Sequence, residues 1–292
     1  MNARFNLACG LLLAAPSLLA PLAAEPWNFA IAPAWIESKD TDETSLAARF
    51  GLASRHTFYR GKYDGSIDTA INGTVMRRAA DNPENLNAGV EGVATWLWEQ
   101  DLGAPPPGAA AASATEMKWP SMLLRLHGTV RFESDQDFDN TQLAIGPRVS
   151  FASVNNTGWW WIIPSLYLGF HRIEVFESGQ LRELGEPERS HYRFEAHSSW
   201  KWKPFATLTQ QPALTRIGLH ADLRYYRAYD MPDSVERASL DDSFYRAFDL
   251  SYDLTDRNWK HLREVYLRIA RGRLPTATSD SRTISIGVVL VP

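Results

Sequence analysis

Residues 121–133 read SMLLRLHGTVRFE, with Met122, Leu124, Leu126, Val130 and Phe132 at one parity and Arg125, His127, Thr129 and Arg131 at the other. A period of two puts successive side chains on opposite faces of a strand, and no helix produces it. Working outward, the same alternation recurs in about twelve segments: 27–37, 45–60, 66–78, 85–98, 121–133, 140–154, 157–173, 189–203, 212–228, 241–255, 262–272 and 281–291. Polar turn-like connections such as GKYDG, DNPEN and SDQDFDN separate them, as hairpins require. The one long exception, residues 99–119 with its PPP and alanine run, reads as a flexible loop.

Alternation alone also fits a soluble sandwich. Strand length, aromatic position and charge placement separate the two. The segments well exceed the roughly 5–6 residues usual for soluble strands and suit the about 9–11 residues that a tilted strand needs to cross a bilayer. On the apolar faces the charges, Arg60, Arg77, Arg172, Arg227, Asp242, Arg246 and Arg263, fall at or near segment ends. Trp27, Trp35, Trp96, Trp98, Trp160, Trp200 and Trp202 take apolar-face positions, mostly toward segment ends, as interfacial girdles do. Inside lipid a sheet must close on itself, because an open edge has no water to satisfy it. The expected fold is therefore all-β, a closed antiparallel transmembrane barrel of about 12 strands with both termini on the periplasmic side.

The chain opens MNARFNLACGLLLAAPSLLAPLAAEPW, in which Arg4, an apolar stretch and Leu22-Ala23-Ala24 read as a secretory signal peptide over residues 1–24, cleaved near Ala24. That leaves residues 25–292 as a single barrel domain. The sole cysteine, Cys9, goes with the leader, which leaves no disulfide or thiol chemistry. The formal net charge is −4, and cleavage removes one arginine more, so nucleic acid is not a partner.

The C-terminal pattern Ser285-Ile-Gly287-Val-Val-Leu290-Val-Pro292 resembles the β-signal of Gram-negative outer-membrane barrels, read by the barrel-assembly machinery. The chain departs from the class at Pro292, where an aromatic residue is usual. The resemblance covers residues 25–292 and implies the outer membrane as location, with outer-membrane lipid and the assembly machinery as partners.

If the apolar faces meet lipid, the other parity lines the lumen. The basic set there is Arg49, Arg55, Arg78, Arg125, Arg131, Arg148, Arg189, Arg193, Lys201, Lys203, Arg216, Arg224 and Arg268. The acidic set is Asp68, Glu91, Glu133, Glu195, Asp222, Asp241, Asp249, Asp253 and Glu264, and His127, Tyr167 and His220 share the lining. The excess of basic residues predicts a narrow channel for small or anionic solutes, since rings of Arg and Lys select anions. The competing expectation is a closed barrel filled by salt bridges, with a structural or partner-binding role like that of a solitary autotransporter barrel.

An enzyme is the third class. His197-Ser198-Ser199 is similar to the His and Ser of the outer-membrane phospholipase A family, whose catalytic groups face lipid. His197 and Ser199 have lumen parity and the family's Asn-Gly after the serine is absent, so no catalytic residue is expected. The lumen histidines lack metal-ligand spacing, and no phosphate-binding loop is present; neither metal nor cofactor is expected.

Overall fold

The computed structural model describes residues 27–38, 43–59, 63–76, 86–98, 122–153, 164–205, 211, 213–255, 261–277 and 280–290. The expected leader, the 99–119 loop, Arg78, Trp160 and Pro292 lie outside the described residues.

Twelve strands follow one another in chain order: β1 (Asn28–Ser38), β2 (Glu43–Tyr59), β3 (Tyr63–Met76), β4 (Leu86–Trp98), β5 (Met122–Ser134), β6 (Asn140–Ser153), β7 (Ser165–Ser178), β8 (His191–Trp202), β9 (Ile217–Tyr229), β10 (Asp242–Asp253), β11 (Leu262–Gly272) and β12 (Ser281–Leu290). Two one-turn helices, α1 (Gly179–Glu183) and α2 (Asp233–Arg237), lie in the β7–β8 and β9–β10 connections. Each strand pairs antiparallel with its sequence neighbours, and β1 pairs with β12, which closes the barrel. Closure leaves no unpaired edge. β1 starts and β12 ends at one rim, called here the terminal rim; the opposite rim carries α1 and α2.

Polarity is inverted relative to a soluble protein. Among the described residues large apolar side chains are exposed, from Phe29, Trp35 and Leu46 round to Ile269 and Ile286, whereas His127, Glu133, His171, Arg193, Glu195 and Asp222 are buried. Cross-strand register keeps each set on its own face: Arg125, Ser150 and Tyr167 are neighbours on the inner wall, and Leu126, Val149 and Leu168 on the outer. Trp96, Trp200 and Trp202 stand at outward register positions near the terminal rim, with Trp27 just before β1, while Tyr192 and Tyr229 mark the other rim and Trp35 stands on the outer face opposite Ile286. Trp98 ends β4 at the same parity as Trp96.

β7 ends later than the sequence reading expects. Of the segment expected at 157–173, residues 157–163 lie outside the described residues, and β7 runs from Ser165 on to Ser178, five residues past the expected end. Its register against β6 shifts at Thr141/Gln142, which admits the extra residue that carries the strand to its Ser178 end. The β6–β7 ladder is also interrupted opposite Gly146 and Pro147. Proline has no N–H to donate, and a Cβ at Gly146 would stand 2.2 Å from the Phe170 carbonyl oxygen, so only glycine permits that approach.

Gly287, expected within the assembly signal, has a packing role in the finished barrel. It faces Tyr266 on β11, whose ring and hydroxyl lie 2.7 and 2.6 Å from where a Cβ would be, with the Pro33 carbonyl oxygen at 2.8 Å. Tyr266 packs over the glycine into the cluster of Ala32, Ala34, Ile36, Ala47 and Met76 that fills the β1–β2–β12 side. Gly287→Ala is therefore expected to lower stability by about 1–3 kcal/mol, the usual cost of overpacking, measured as a shift of the denaturant midpoint in micelles. Ser285 is buried on the same inner face, and Leu290 pairs with Ile31 on the outer one.

Candidate functional site: the charged lumen

The inner wall holds a chain of ion pairs rather than separate basic and acidic walls. At its centre β5 and β8 each present an Arg and a Glu two residues apart, so both point inward and the four groups interlock. Arg131 donates to Glu195 at 2.7 and 2.9 Å and to Glu133 at 2.6 Å. Arg193 donates to both Glu133 oxygens at 2.9 Å and to Glu195 at 2.5 Å. Gln142 donates to Glu133 at 2.6 Å, and the Arg193 guanidinium stacks 5.5 Å over the Tyr226 ring. Glu133 and Arg193 are almost fully buried, so the quartet is a packed plug on this side of the lumen.

Around it run smaller pairs. Arg148 donates to Glu91 at 2.8 Å, His127 lies 3.1 Å from the same carboxylate, and Ser150 closes the group at 2.8 Å from His127. Asp222 accepts from Arg224 at 2.6 Å, and His197 Nε2 lies 2.8 Å from its other oxygen. The His197 ring stacks on Tyr167 at 5.0 Å, and Arg148 lies over the other side of the system, 5.4 Å from the Tyr167 centroid. On the far wall Asp249 meets His220 at 2.9 Å and Arg268 at 3.3 Å, while Arg268 also donates to the Tyr245 hydroxyl at 2.9 Å. Arg49 donates to the Tyr266 hydroxyl at 3.4 Å. Near the terminal rim lie Arg55–Asp68 at 2.6 Å and Lys203–Asp253 at 3.1 Å. Arg125 and Glu264 take inward positions opposite Ser150 and Val289.

A cavity of 610 Å³ occupies the middle of the barrel, from Asn28 and Arg55 near the terminal rim to Leu274 and Pro275. Four arginines line it, Arg55, Arg131, Arg148 and Arg224, and so do four carboxylates, Asp68, Glu91, Glu133 and Glu195. The two signs are not equally presented. Side-chain exposure is 45% for Arg55 against 26% for Asp68, 18% for Arg131 against 4% for Glu133, and 31% for Arg224 against 5% for Asp222; only Arg148 and Glu91 are equal. In these three pairs the guanidinium is the more exposed partner, whereas Arg193, at 3%, lies deeper than the Glu195 it holds, at 9%.

Beyond the quartet lies a second cavity of 70 Å³, enclosed by Gln180, Leu181, Val235 and Leu240 of the loops. Arg193, Tyr226 and Pro275 lie along it, and Tyr226 and Pro275 also line the larger cavity. The β11–β12 connection enters the barrel here: Leu274 is buried against Tyr245, Ala247 and Ala270, and Thr276 is buried beside it. Gln180 of α1 donates to the Ala277 carbonyl at 2.6 Å, which ties the inserted loop to its neighbour.

Most of the expected lining is brought together. Arg49, Arg125, His127, Arg131, Arg148, Tyr167, Arg193, Glu195, His220, Asp222, Arg224, Asp249, Asp253, Glu264 and Arg268 all take inward positions. Arg216 lies outside the strands: it ends a 3-10 turn, Leu214–Arg216, directly before β9, because the helical turn takes residues that the alternation had assigned to the strand. Arg189, Lys203 and Asp241 likewise fall just outside strands. Reasoning from charge alone missed Tyr226, Tyr245 and the inserted Leu274-Pro275. The only signal for the last was an apolar pair inside the otherwise polar stretch 273–280.

A closed sheet with an apolar outer belt, aromatic rims and a charged interior satisfies every requirement lipid places on a spanning structure. The chain is a transmembrane β-barrel of the outer-membrane type. No family model matches it, and no curated protein matches it in sequence. Similar solved structures include a NanC porin, 7% identical with a TM-score of 0.43 over 90% of this chain and 99% of that one. The outer membrane protein OpdK of Pseudomonas aeruginosa is 10% identical, TM-score 0.38, over 91% and 98%. A BenF-like porin of Pseudomonas fluorescens is 9% identical, TM-score 0.37, over 92% and 98%.

Proposed function

We propose that this barrel is a narrow channel for small anionic solutes in the outer membrane of a Gram-negative bacterium. The observation that carries the reading is the unequal presentation of charge around the 610 Å³ cavity. Arg55 and Arg131, which line it, show more of their own surface than the Asp68 and Glu133 they hold, and Arg224 shows more than the Asp222 beside it. A guanidinium has five N–H donors, so one engaged by a carboxylate retains donors for a passing anion. Arg148 borders the cavity beside the Tyr167–His197 stack with 20% of its side chain exposed. Rings of such groups favour anions over cations of equal size.

Proteoliposome swelling tests this. Small carboxylates are expected to enter several times faster than ammonium solutes of matched size, and the Arg148→Gln/Arg224→Gln variant is expected to lose the preference. Equal rates in the wild type would remove the anion reading.

One observation favours a second reading, a closed barrel with a structural or partner-binding role. The Arg131–Glu133–Arg193–Glu195 quartet and the inserted Leu274-Pro275 stand between the two cavities. On that reading, no solute would enter the liposomes at all.

A further inference from the structure

On the outer wall, at the rim that carries α1 and α2, three arginines stand in one cross-strand row. Arg246 of β10 is directly opposite Arg271 of β11, and Arg271 directly opposite Arg282 of β12; all three are exposed on the lipid-facing parity. The next outward row toward the middle of the barrel is Phe248, Ile269 and Ile284. The arginines therefore mark the level at which the apolar belt ends.

Arg246 and Arg271 are like charges directly opposite on neighbouring strands, which repel each other. Beside it lies a groove of 490 Å³ lined by Arg246, Arg271, Arg273 and Phe244, with Asp242 and Asp280 as its carboxylates. Arg273 is held in place by donating to the Ser239 and Asp242 main-chain oxygens at 2.9 and 2.6 Å. Gly272 makes this possible: its φ is +118°, and a Cβ there would meet the Phe244 carbonyl oxygen at 1.9 Å. The groove holds three arginines against two carboxylates, and the apolar row of Phe248, Ile269 and Ile284 lies below it, the order of a lipid headgroup joined to its acyl chain. Guanidinium forks match phosphate oxygens two at a time, which a carboxylate-lined or purely apolar groove would not do.

We infer that this groove binds the phosphate-bearing headgroup of an anionic membrane lipid, whose acyl chains run along Phe248, Ile269 and Ile284. The site lies outside the lumen and does not depend on whether the barrel conducts.

The test is native mass spectrometry of the full barrel after exchange into phosphatidylcholine nanodiscs doped with lipid A or with phosphatidylglycerol. The wild type is expected to carry the phosphorylated lipid through detergent extraction. Arg246→Gln/Arg271→Gln should retain about tenfold less, given roughly 1 kcal/mol of attraction per arginine near an anionic surface and partial compensation by Arg273. Arg263→Gln, an exposed outward arginine at the terminal end of β11, should retain as much as the wild type. If the double Gln variant does not fold, Arg246→Lys/Arg271→Lys keeps the charge without the fork, and a severalfold loss supports the site. Equal retention in the double variant, or equal loss in Arg263→Gln, overturns the inference. A rise in Tm with inorganic phosphate in detergent that matches the rise with lipid would also overturn it, by making the groove a free-anion site.

Discussion

Arg193→Met is expected to destabilise the barrel by about 3–5 kcal/mol, the cost of stranding a buried charge by removing its partner. Arg193 is the inner member of the quartet: it holds both oxygens of Glu133 and one of Glu195, and it is 2% exposed. Its loss leaves two carboxylates facing the single guanidinium of Arg131. Adding Glu133→Gln removes the stranded charge, keeps a partner for Gln142, and is expected to recover a large part of the loss, since replacing both members of a buried pair is often close to neutral. Denaturant unfolding in micelles, followed by tryptophan fluorescence, reads both values. A loss under about 1 kcal/mol for the single variant would mean that water reaches the quartet and screens it as it does a surface pair.

Ile286→Arg is expected to cost about 2–4 kcal/mol when unfolding is measured from lipid vesicles, the price of an arginine at mid-bilayer on a barrel's outer face. Ile286 sits near the middle of β12, is 59% exposed, and has Trp35 and Leu267 as its outward neighbours. Asn72→Arg supplies the contrast. Asn72 also lies in a strand and is also exposed, but it lines the lumen cavity, so the change should stay within about 0.5 kcal/mol, as for ordinary surface positions. Equal costs at the two positions would mean that the outer face does not meet hydrocarbon.

The architecture was legible because lipid and lumen impose opposite demands on alternate residues. In 241–255, Phe244, Phe248 and Leu250 against Tyr245, Asp249 and Asp253 fix both the strand and the face each side chain takes, and β10 occupies that segment to within a residue or two. The limits of this reasoning appear where alternation is not the deciding force. The seventh segment was expected to end at 173, but β7 runs on to Ser178, and its bulge opposite Thr141 and Gln142 has no counterpart in composition. Arg216 has the right parity, yet a 3-10 turn places it outside the strands.

Parity assigned the lumen charges to a face but not to partners. It gave Arg131, Glu133, Arg193 and Glu195 as four lining groups, whereas their interlocking depends on β5 and β8 meeting across the interior, a long-range geometry with no local signal. The same holds for Leu274, which lies in a short connection and is buried because Tyr245, Ala247 and Ala270 leave space for it. Charge counting likewise overstates the basic excess, since what a solute meets is the exposed part of each group.

The most direct measurement of the account is the reversal potential of the refolded full barrel in a planar bilayer under a salt gradient. The predicted result is discrete single-channel steps with a reversal potential on the anion-selective side. A cation-selective reversal potential, or a folded barrel that gives no steps, would contradict it.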